Sequence, residues 1–551
     1  MLLENKNIYI LKIIDIKKFM RKILFLIVLI VPFIFLISSV YAYVIVDSQD
    51  WHDTYLASLY AAVNGEDFNF IINEAQGKNV IQGIPPGSDV LLITGEKQYF
   101  PAIVAQLKAK NCNVEEIKLG DYTDLMKELA KRLDVESIVV ISPTFGYDAI
   151  SVAPYAIKTH GFVYFVDENN IDRVKDELSN KKLILYGDLH RDVISSLTGE
   201  RINEGSRFHN NLKILEKYYE GFSAPQLIVT SGEFMEASLF SGQPIMLLGK
   251  QKVLPEQIEF VKQHEIKVIL LIGYELLDVA NVLKEKTGVR GIMKFGKGTA
   301  QAGGEFMRRV EPLDLYFMPF YTPEISIEKA SYDIASKKLY VQFFNPGVIP
   351  VYFTSVVSVA GRVYEHGIEK INPGSSVVVE YLSELTEKET KNINVTVIYG
   401  EAQKALEYEK TATLQAEVSE ISDKCNLTID GGAYNEKSLI LKVFVSTNTE
   451  CYAKPSVSLT SLGKRKYLVK DVQLIKGKGT FTFDVRMDRL DLKEGVDVEI
   501  DYGENKEFLF KKAKKKIYPE IEKESSSMIY LIIIVSIIIA SILILAKRKR
   551  E

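Results

Sequence analysis

Apolar runs alternate with helix-like segments along the first half of the chain, between residues 43 and 300. The run Ile138-Val139-Val140-Ile141 has no polar face, which is typical of a parallel strand covered on both sides. Strands that alternate with helical segments predict an α/β sheet. The predicted strands are residues 44–46, 90–93, 138–141, 183–185, 227–229 and 268–272.

The same pattern occurs three times in this half of the chain. The copies begin at Val44, Val139 and Leu227. A gapless comparison of the first two places Asp53 on Asp148, and Glu236 takes that position in the shorter third copy. Each copy later reaches an apolar strand that ends in glycine, at Gly95, Gly187 and Gly273. The pattern predicts three α/β repeats, over residues 43–135, 136–222 and 223–305.

The periodicity changes after Pro323 to short alternating strands separated by turn clusters such as Asn345-Pro346-Gly347. Strands at this spacing are typical of β-sandwiches. We predict two Ig-like sandwiches, over residues 320–415 and 418–510, and a charged linker over 511–527. The predicted strands are residues 338–344, 351–359, 376–381, 394–399, 439–445, 456–459, 480–485 and 496–501.

A hydrophobic run lies near each end of the chain. Residues 23–40 follow Arg21 and Lys22, which predicts a signal peptide cleaved after Ala42 or, if uncleaved, an N-terminal anchor over residues 1–42. Residues 528–546 are long and apolar enough for a transmembrane helix through the lipid bilayer. The basic tail 547–551 favours a cytoplasmic C-terminus. We therefore expect a cell-membrane protein whose bulk is extracytoplasmic, with two passes if the first run is retained.

Composition narrows the possible functions. The net charge of −4 gives no basic field suited to nucleic acid. Of the 3 cysteines, Cys425 and Cys451 lie in one β-rich region and are candidates for a disulfide in an oxidising exterior. Asn394 and Asn426 head N-glycosylation triplets. No nucleophile elbow, zinc-ligand set or dinucleotide fingerprint occurs, so no metal and no cofactor is predicted.

The three copies resemble the cell-wall-binding repeat (type 2) of prokaryotic surface proteins. The resemblance rests on the acid-started small-residue helix that begins at Asp148, on the strand Pro244-Ile245-Met246-Leu247-Leu248 and on the strand-glycine endings. It covers about half of the chain. It implies a parallel α/β module that attaches its protein to a surface polymer, although the first two copies lack a clear form of the Pro244 strand.

An acidic cluster follows the first predicted strand, where open α/β sheets often bind ligands. It comprises Asp47, Asp50, His52 and Asp53. Asp50, His52 and Asp53 are candidate catalytic residues, and carboxylates with one imidazole suit a divalent cation. The alternative, favoured by repetition, is that Asp53 and its counterparts accept free N–H groups at helix starts. The candidate ligand-binding residues are Trp51, Asp53, Asp148 and Glu236.

The order of signal, repeats, sandwiches and anchor indicates an exported, membrane-anchored surface protein. We expect its α/β repeats to bind an envelope polymer or a surface-layer component, without enzymatic activity. One alternative is a surface hydrolase or metal-dependent enzyme that uses the acidic cluster. Another is a purely structural envelope stalk that self-associates through sandwich edges.

Overall fold

The computed structural model describes residues 42–118, 120–294, 315–420 and 423–522. They form two compact units. The first unit comprises the described residues up to Asp188, those of Leu197–Leu247 and those of Lys262–Phe320. The second holds Leu189–Ser196, Leu248–Val261 and the described chain from Tyr321 onward. The predicted order of an α/β region with parallel sheets followed by several antiparallel sheets is confirmed.

Three parallel sheets with one common strand order build the first unit. The orders are β2-β1-β3-β4, β6-β5-β7-β8 and β11-β9-β12-β13 for the following strands. The strands are β1 (Ala42–Asp47), β2 (Asp67–Phe70), β3 (Asp89–Thr94), β4 (Asn113–Lys118), β5 (Ser137–Ile141), β6 (Phe162–Phe165), β7 (Lys182–Tyr186), β8 (Glu200–Ile202), β9 (Gln226–Thr230), β10 (Phe234–Met235), β11 (Ile245–Leu247), β12 (Val268–Ile272), β13 (Arg290–Lys294) and β14 (Tyr316–Phe317). The short strands β10 and β14 pair antiparallel.

Helices cover these sheets, and several of them begin at short polar side chains. Numbered along the whole described chain, the helices are α1 (Trp51–Asn64), α2 (Glu74–Gly83), α3 (Ile103–Ala109), α4 (Tyr122–Leu133), α5 (Gly146–Lys158), α6 (Ile171–Leu178), α7 (Arg191–Ser196), α8 (Arg207–Gly221), α9 (Pro255–Gln263), α10 (Leu277–Thr287) and, in the second unit, α11 (Arg489–Glu494). Asp50, Asn73, Asp121 and Ser206 each accept a backbone N–H at a helix start. Helix α1 ends at Gly65, whose φ of 73° suits a residue without Cβ.

The first helices of the three repeats meet one another. Helices α1 and α5 and the 3₁₀ helix Ala237–Phe240 are in mutual contact. Tyr55 of α1 is fully buried there, and its hydroxyl donates to the Ala149 carbonyl at 2.8 Å. Its ring lies 5.6 Å from the ring of Phe240. One helix from each copy therefore contributes to a shared core.

The second unit contains the antiparallel sheets. Its strands are β15 (Ser326–Asp333), β16 (Lys338–Phe344), β17 (Val351–Val359), β18 (Arg362–Ile371), β19 (Ser376–Leu382), β20 (Ile393–Gly400), β21 (Tyr408–Leu414), β22 (Ala416–Ser419), β23 (Leu427–Asn435), β24 (Ile440–Ser461), β25 (Lys464–Val469), β26 (Gln473–Asp484), β27 (Val496–Gly503), β28 (Lys511–Ile517) and β29 (Glu520–Ile521). Sheets β19-β16-β15-β22 and β18-β17-β20-β21 share one core, in which the rings of Phe343 and Phe353 lie 4.8 Å apart. They form a sandwich.

A second β-domain is organised by β24, a strand of 22 residues. The sequence pattern predicts two strands here, 439–445 and 456–459. In the structure, β24 contains all of both except residue 439. It pairs with β23, β25, β26 and β27. A single strand can serve so many partners because its two halves pair with different neighbours. The core contains Phe481, Phe483 and Val498.

The interpretation of residues 511–527 as a charged linker is wrong for its first part. Lys511–Ile517 pairs antiparallel with β27, and Glu520–Ile521 pairs with β23. Ala513 and Ile517 of β28 face the core, while the Lys511 and Lys515 amines reach backbone carbonyls. The Lys515 amine donates to the Ile429 carbonyl at 2.8 Å. Alternation, rather than net charge, therefore decides the conformation of this segment.

Several sequence predictions concern residues outside the described ranges. These are the signal or anchor before residue 42, the transmembrane segment 528–546 and the basic tail 547–551. Within the ranges that are described, none of the helices combines the length and hydrophobicity needed to cross a membrane.

The structure joins Cys425 and Cys451 in a disulfide, with Cα atoms 5.6 Å apart. Cys112 is a buried free thiol. The glycosylation candidates Asn394 and Asn426 are both exposed, and both lie in the second unit. Neither asparagine would have to be unfolded to accept a glycan.

Replacing both Cys425 and Cys451 with alanine should lower the free energy of unfolding of the β24 domain. The bond closes a loop with a sequence separation of 26. Releasing a loop of that size costs about 3 kcal/mol. Thermal unfolding of the full chain in detergent measures the change. A reductant should lower the melting temperature of the wild type but not of the double variant; an equal response of the two would contradict the prediction.

Candidate functional site

Asp47, the last residue of β1, is completely buried. Its carboxylate accepts the backbone N–H of Tyr99 at 2.7 Å and that of Phe100 at 3.1 Å. Burial raises the pKa of Asp47, although these two bonds oppose the change. The side chain therefore holds the loop that follows β3 and does not face a ligand.

Asp50 and His52 form a pair at the start of α1. Asp50 caps the helix through the N–H of His52 at 2.9 Å. The His52 Nδ1 lies 2.6 Å from Asp50 Oδ1, and its Nε2 lies 2.9 Å from the Pro143 carbonyl oxygen. Both neighbours are acceptors, so only the protonated ring can donate to each. Burial raises the pKa of Asp50, but the hydrogen bonds and charge of His52 outweigh it and leave that pKa lowered.

The His52 ring lies within an aromatic cluster. Its centroid is 3.9 Å from the Trp51 ring and 4.3 Å from the Tyr122 ring, with Phe165 edge-on at 4.8 Å. Trp51 is only 8% exposed. Its ring packs on His52 and on Phe165, so Trp51 is not placed to stack on a sugar.

Asp53 lies one helical turn further along and is also buried. Its Oδ2 accepts the Ser48 hydroxyl at 2.7 Å. Burial raises the pKa of Asp53 to about 6, partly offset by the Ser48 hydrogen bond. Such a perturbed acid is typical of functional sites, but it is equally a product of burial in a structural role.

The three repeated acids do not share the role of helix cap. Glu236 does cap, because it accepts the Ser238 N–H at 2.9 Å before its 3₁₀ helix. Asp53 and Asp148 are instead the third residues of α1 and α5. The cap of α1 is Asp50, and the residue before α5, Phe145, makes no side-chain cap. All three acids thus lie at helix starts, as predicted, but only Glu236 accepts an N–H group as a helix cap; Asp53 and Asp148 lie in the first turn.

What the repeats share is a carboxylate packed against the glycine that ends a strand. A Cβ built on Gly95 would stand 3.0 Å from Asp53 Oδ2, and one on Gly187 would stand 3.0 Å from Asp148 Oδ2. In the third repeat, a Cβ on Gly273 would meet Glu275 instead, at 2.5 Å.

Glu275 was not among the sequence candidates. Its Oε1 accepts the Ser231 hydroxyl at 3.0 Å, as Asp53 accepts Ser48. Ser48 and Ser231 occupy the same position in the aligned copies, and this correspondence is the available sequence signal. The carboxylate is therefore retained next to the glycine while the residue that supplies it changes.

The acidic cluster does not assemble as a metal site. Across the residues whose positions are described, no three His, Cys, Asp or Glu side chains are arranged to hold one ion. Asp47, Asp50 and Asp53 each bind groups of the chain itself.

An open groove lies along β4, the outer strand of the first sheet. Its volume is about 830 Å³. The apolar floor includes Ile117 and Ile138, and the Tyr164 hydroxyl within it donates to Glu177. The charged lining residues are Glu115, Glu116, Lys118, Asp124, Lys127, Glu128, Lys131, Arg132, Asp134, Glu177 and Lys181.

Ion pairs hold part of this groove's rim. Arg132 binds Glu115 at 2.7 Å and Glu128 at 2.9 Å. Lys181 donates to the Val135 carbonyl at 2.6 Å. Exposed pairs of this kind contribute little stability, so their hydrogen-bonding groups can turn to a ligand at small cost.

Comparison with known proteins gives weak likenesses. No protein-family model and no curated protein sequence matches the chain. Among solved structures, Cwp6 from Clostridium difficile is 18% identical with a TM-score of 0.37, over 45% of this chain and 44% of Cwp6. Cwp8 from the same organism is 17% identical with a TM-score of 0.37, over 45% of this chain and 48% of Cwp8. The chain thus spans less than half of either structure.

Gly95→Ala should destabilise the first unit. The added Cβ would lie 2.7 Å from Ser48 Cβ and would press on the buried Asp53 carboxylate. Overpacking of this kind costs about 1–3 kcal/mol. Gly83→Ala is the control, because nothing lies within 4 Å of a Cβ at that position in α2. Equal melting temperatures for the two variants would disprove the packing role of Gly95.

Asp53→Asn should remove a pH dependence of stability. The folded-state pKa of Asp53 lies at about 6, above its ordinary value of 3.8. The stability from the protonated acid is therefore complete below pH 3.8 and is lost as the pH rises through 6. At about 1.4 kcal/mol per unit, the loss is about 3 kcal/mol. Asparagine mimics the neutral acid, so Asp53→Asn should match the wild type at pH 4 and be more stable at pH 7.5. Lower stability of the variant at pH 7.5, measured by denaturant unfolding, would refute this.

Proposed function

We propose that this chain is a membrane-anchored cell-surface protein whose α/β unit binds an envelope polymer or a surface-layer component. The second unit then serves as an Ig-like spacer between that binding face and the C-terminal anchor. The groove along β4 is the observation that carries the binding role, and the disulfide supports export.

The disulfide is relevant to localisation because the stability of a disulfide depends on whether its compartment is oxidising or reducing. Disulfides persist in oxidising surroundings and are rare where thiols are kept reduced. Cys425 and Cys451 join two segments of a well-packed domain, at a Cα separation of 5.6 Å. Together with the apolar runs 23–40 and 528–546 of the sequence, this pairing supports placement of the second unit outside the cytoplasm.

The groove suits a polymer rich in hydroxyl groups. Five cationic and six acidic side chains line it, so its charge is nearly balanced. A balanced set of donors and acceptors binds through many hydrogen bonds and does not select a strongly charged ligand. The groove is also open, which suits a chain that continues beyond it in both directions. We therefore assign it a glycan of low charge or a polar protein segment.

We assign binding rather than catalysis because the acidic cluster is occupied by the chain itself. Asp50 and His52 bind each other, and Asp53 is buried in the first turn of α1. A catalytic acid or base must reach a substrate proton. In the groove, by contrast, polar side chains face an opening.

An architectural role is a second candidate, supported by β18. This strand is the outermost of its sheet, and Val363 and Ile368 on it are 60% and 49% exposed. Exposed edge strands are templates for pairing with a second copy. Self-association that rises with concentration and is abolished by Val363→Lys would favour this role.

Removing groove lysines should weaken binding to the envelope. In Lys127→Ala/Lys131→Ala, two donors are lost from the rim, and we expect binding to a purified envelope fraction to fall by about tenfold. Lys108→Ala is the control for Lys131, since each is a lysine in the last turn of its helix and Lys108 lies outside the groove. Sedimentation of the full chain with envelopes measures the binding. Absence of binding by the wild type, or equal binding by all three proteins, would count against the proposal.

A further inference from the structure

A second opening, of about 290 Å³, lies between the two β-domains of the second unit. Lys370 and Asn372 reach it from the end of β18 in the first domain. The other lining residues belong to the second domain, on strands β24, β25, β27 and β28. They are Ser458, Arg465, Asp497, Val498, Glu499, Lys514, Lys515 and Lys516. We call this opening the basic pocket.

Positive charge exceeds negative charge in the basic pocket. Four cationic side chains, Lys370, Arg465, Lys514 and Lys516, face two carboxylates, whereas the Lys515 amine is bound to the Ile429 and Asp430 carbonyls. Asp497 pairs with Arg465 at 2.7 Å, and Glu499 pairs with Lys514 at 3.3 Å. Both carboxylates are therefore already engaged by cations, and charge remains in excess.

Lys370 and Lys516 supply that excess. In the chain as described, neither amine lies within 4.0 Å of a carboxylate oxygen, and Lys370 instead sits over the Tyr352 ring at 5.8 Å. Burial lowers the pKa of Lys370, and the neighbouring charges of Arg465 and Lys514 add to that effect, against Glu499 and Asp497. An anion placed among these groups would reverse this repulsion.

A buried hydroxyl also lines the basic pocket. Ser458 is 4% exposed, and its hydroxyl lies beside Tyr467, its partner on β25, without a well-formed hydrogen bond from its Oγ. The Asn372 Oδ1 is likewise without a hydrogen bond. Buried polar atoms are nearly always satisfied, so the Ser458 hydroxyl is available to donate to an acceptor that enters this cationic pocket.

We propose that the basic pocket binds a phosphate-type oxyanion, either free phosphate or the phosphoryl group of a lipid. Lys370, Lys516 and the Lys514 amine surround the anion, and the Ser458 hydroxyl donates to one of its oxygens. Charge-assisted hydrogen bonds of this kind are about twice as strong as neutral ones. The anion would join the two β-domains, because Lys370 belongs to one and its other ligands to the other. This site is independent of the groove on the α/β unit.

Binding is tested with inorganic phosphate and the full chain in neutral detergent, at pH 7 and constant ionic strength. Calorimetric titration should show one site, and phosphate should raise the melting temperature where chloride does not. Lys370→Gln should weaken phosphate binding about tenfold, which corresponds to about 1.4 kcal/mol. Ser458→Ala should weaken it as well. Lys478→Gln, a change at an exposed lysine on β26 outside the pocket, should leave it unchanged.

The same variants distinguish failure to bind from failure to fold. Lys370→Gln removes a cation from a repulsive cluster, so its melting temperature without phosphate should equal or exceed that of the wild type. Micelles containing phosphatidic acid, compared with phosphatidylcholine, separate a lipid source from free phosphate. Protection by phosphatidic acid that phosphate displaces would assign the site to a lipid headgroup, and protection by phosphate alone to the free ion. No binding of either, or equal binding by Lys370→Gln and Lys478→Gln, would overturn the proposal.

Discussion

Two-sided burial of one strand in each parallel sheet is the constraint on which the first unit depends. Strands β1, β5 and β9 each lie inside their sheets, and residues such as Val44, Val139 and Leu227 are at most 1% exposed. Apolar side chains on both faces require a cover on both faces, and a single helix cannot provide it. The first helices of the three repeats provide part of this cover together, because α1, α5 and the 3₁₀ helix Ala237–Phe240 meet in one core. The repeats therefore stabilise one another rather than folding as separate modules.

The same constraint explains why the sheets could be predicted from sequence and the roles of the acids could not. A run such as Ile138–Ile141 has no polar position, so its burial is visible without any knowledge of its neighbours. A helix cap depends on where helical backbone begins, and Asp53 at the third position of α1 looks the same in sequence as a cap would. The carboxylate that packs against Gly273 could not be predicted from sequence for a different reason. Glu275 replaces the repeated acid from a different segment, so a gapless alignment cannot locate it.

Strand β28 shows how composition can mislead about conformation. Five of the seven residues of Lys511–Ile517 are lysines, which favours a solvated linker on charge alone. The apolar stems of alternate lysines pack beside Ala513 and Ile517, and their amines satisfy carbonyls of a neighbouring segment. Lys511, for example, donates to the Cys425 carbonyl at 2.7 Å. Those carbonyls are offered by residues more than eighty positions earlier, so the stabilising interaction exists only once the sheet has formed.

The groove along β4 and the basic pocket could not be predicted from sequence for a related reason. The chain has 68 Lys and Arg against 72 Asp and Glu, so no single charged residue indicates a site. The preferred ligand depends instead on the local balance of positive and negative side chains. The fold sets this balance by bringing distant segments together. The groove along β4 collects acids and bases in nearly equal number, and we therefore assign it a ligand of low charge. The basic pocket joins Lys370 to Lys514 and Lys516 while its two carboxylates are already paired, and so we assign it an anion. The carboxylates of the acidic cluster that stands out in the sequence are instead hydrogen-bonded by groups of the chain itself. Charge that remains unbalanced after folding is thus a better guide to a ligand here than charge that is concentrated in the sequence.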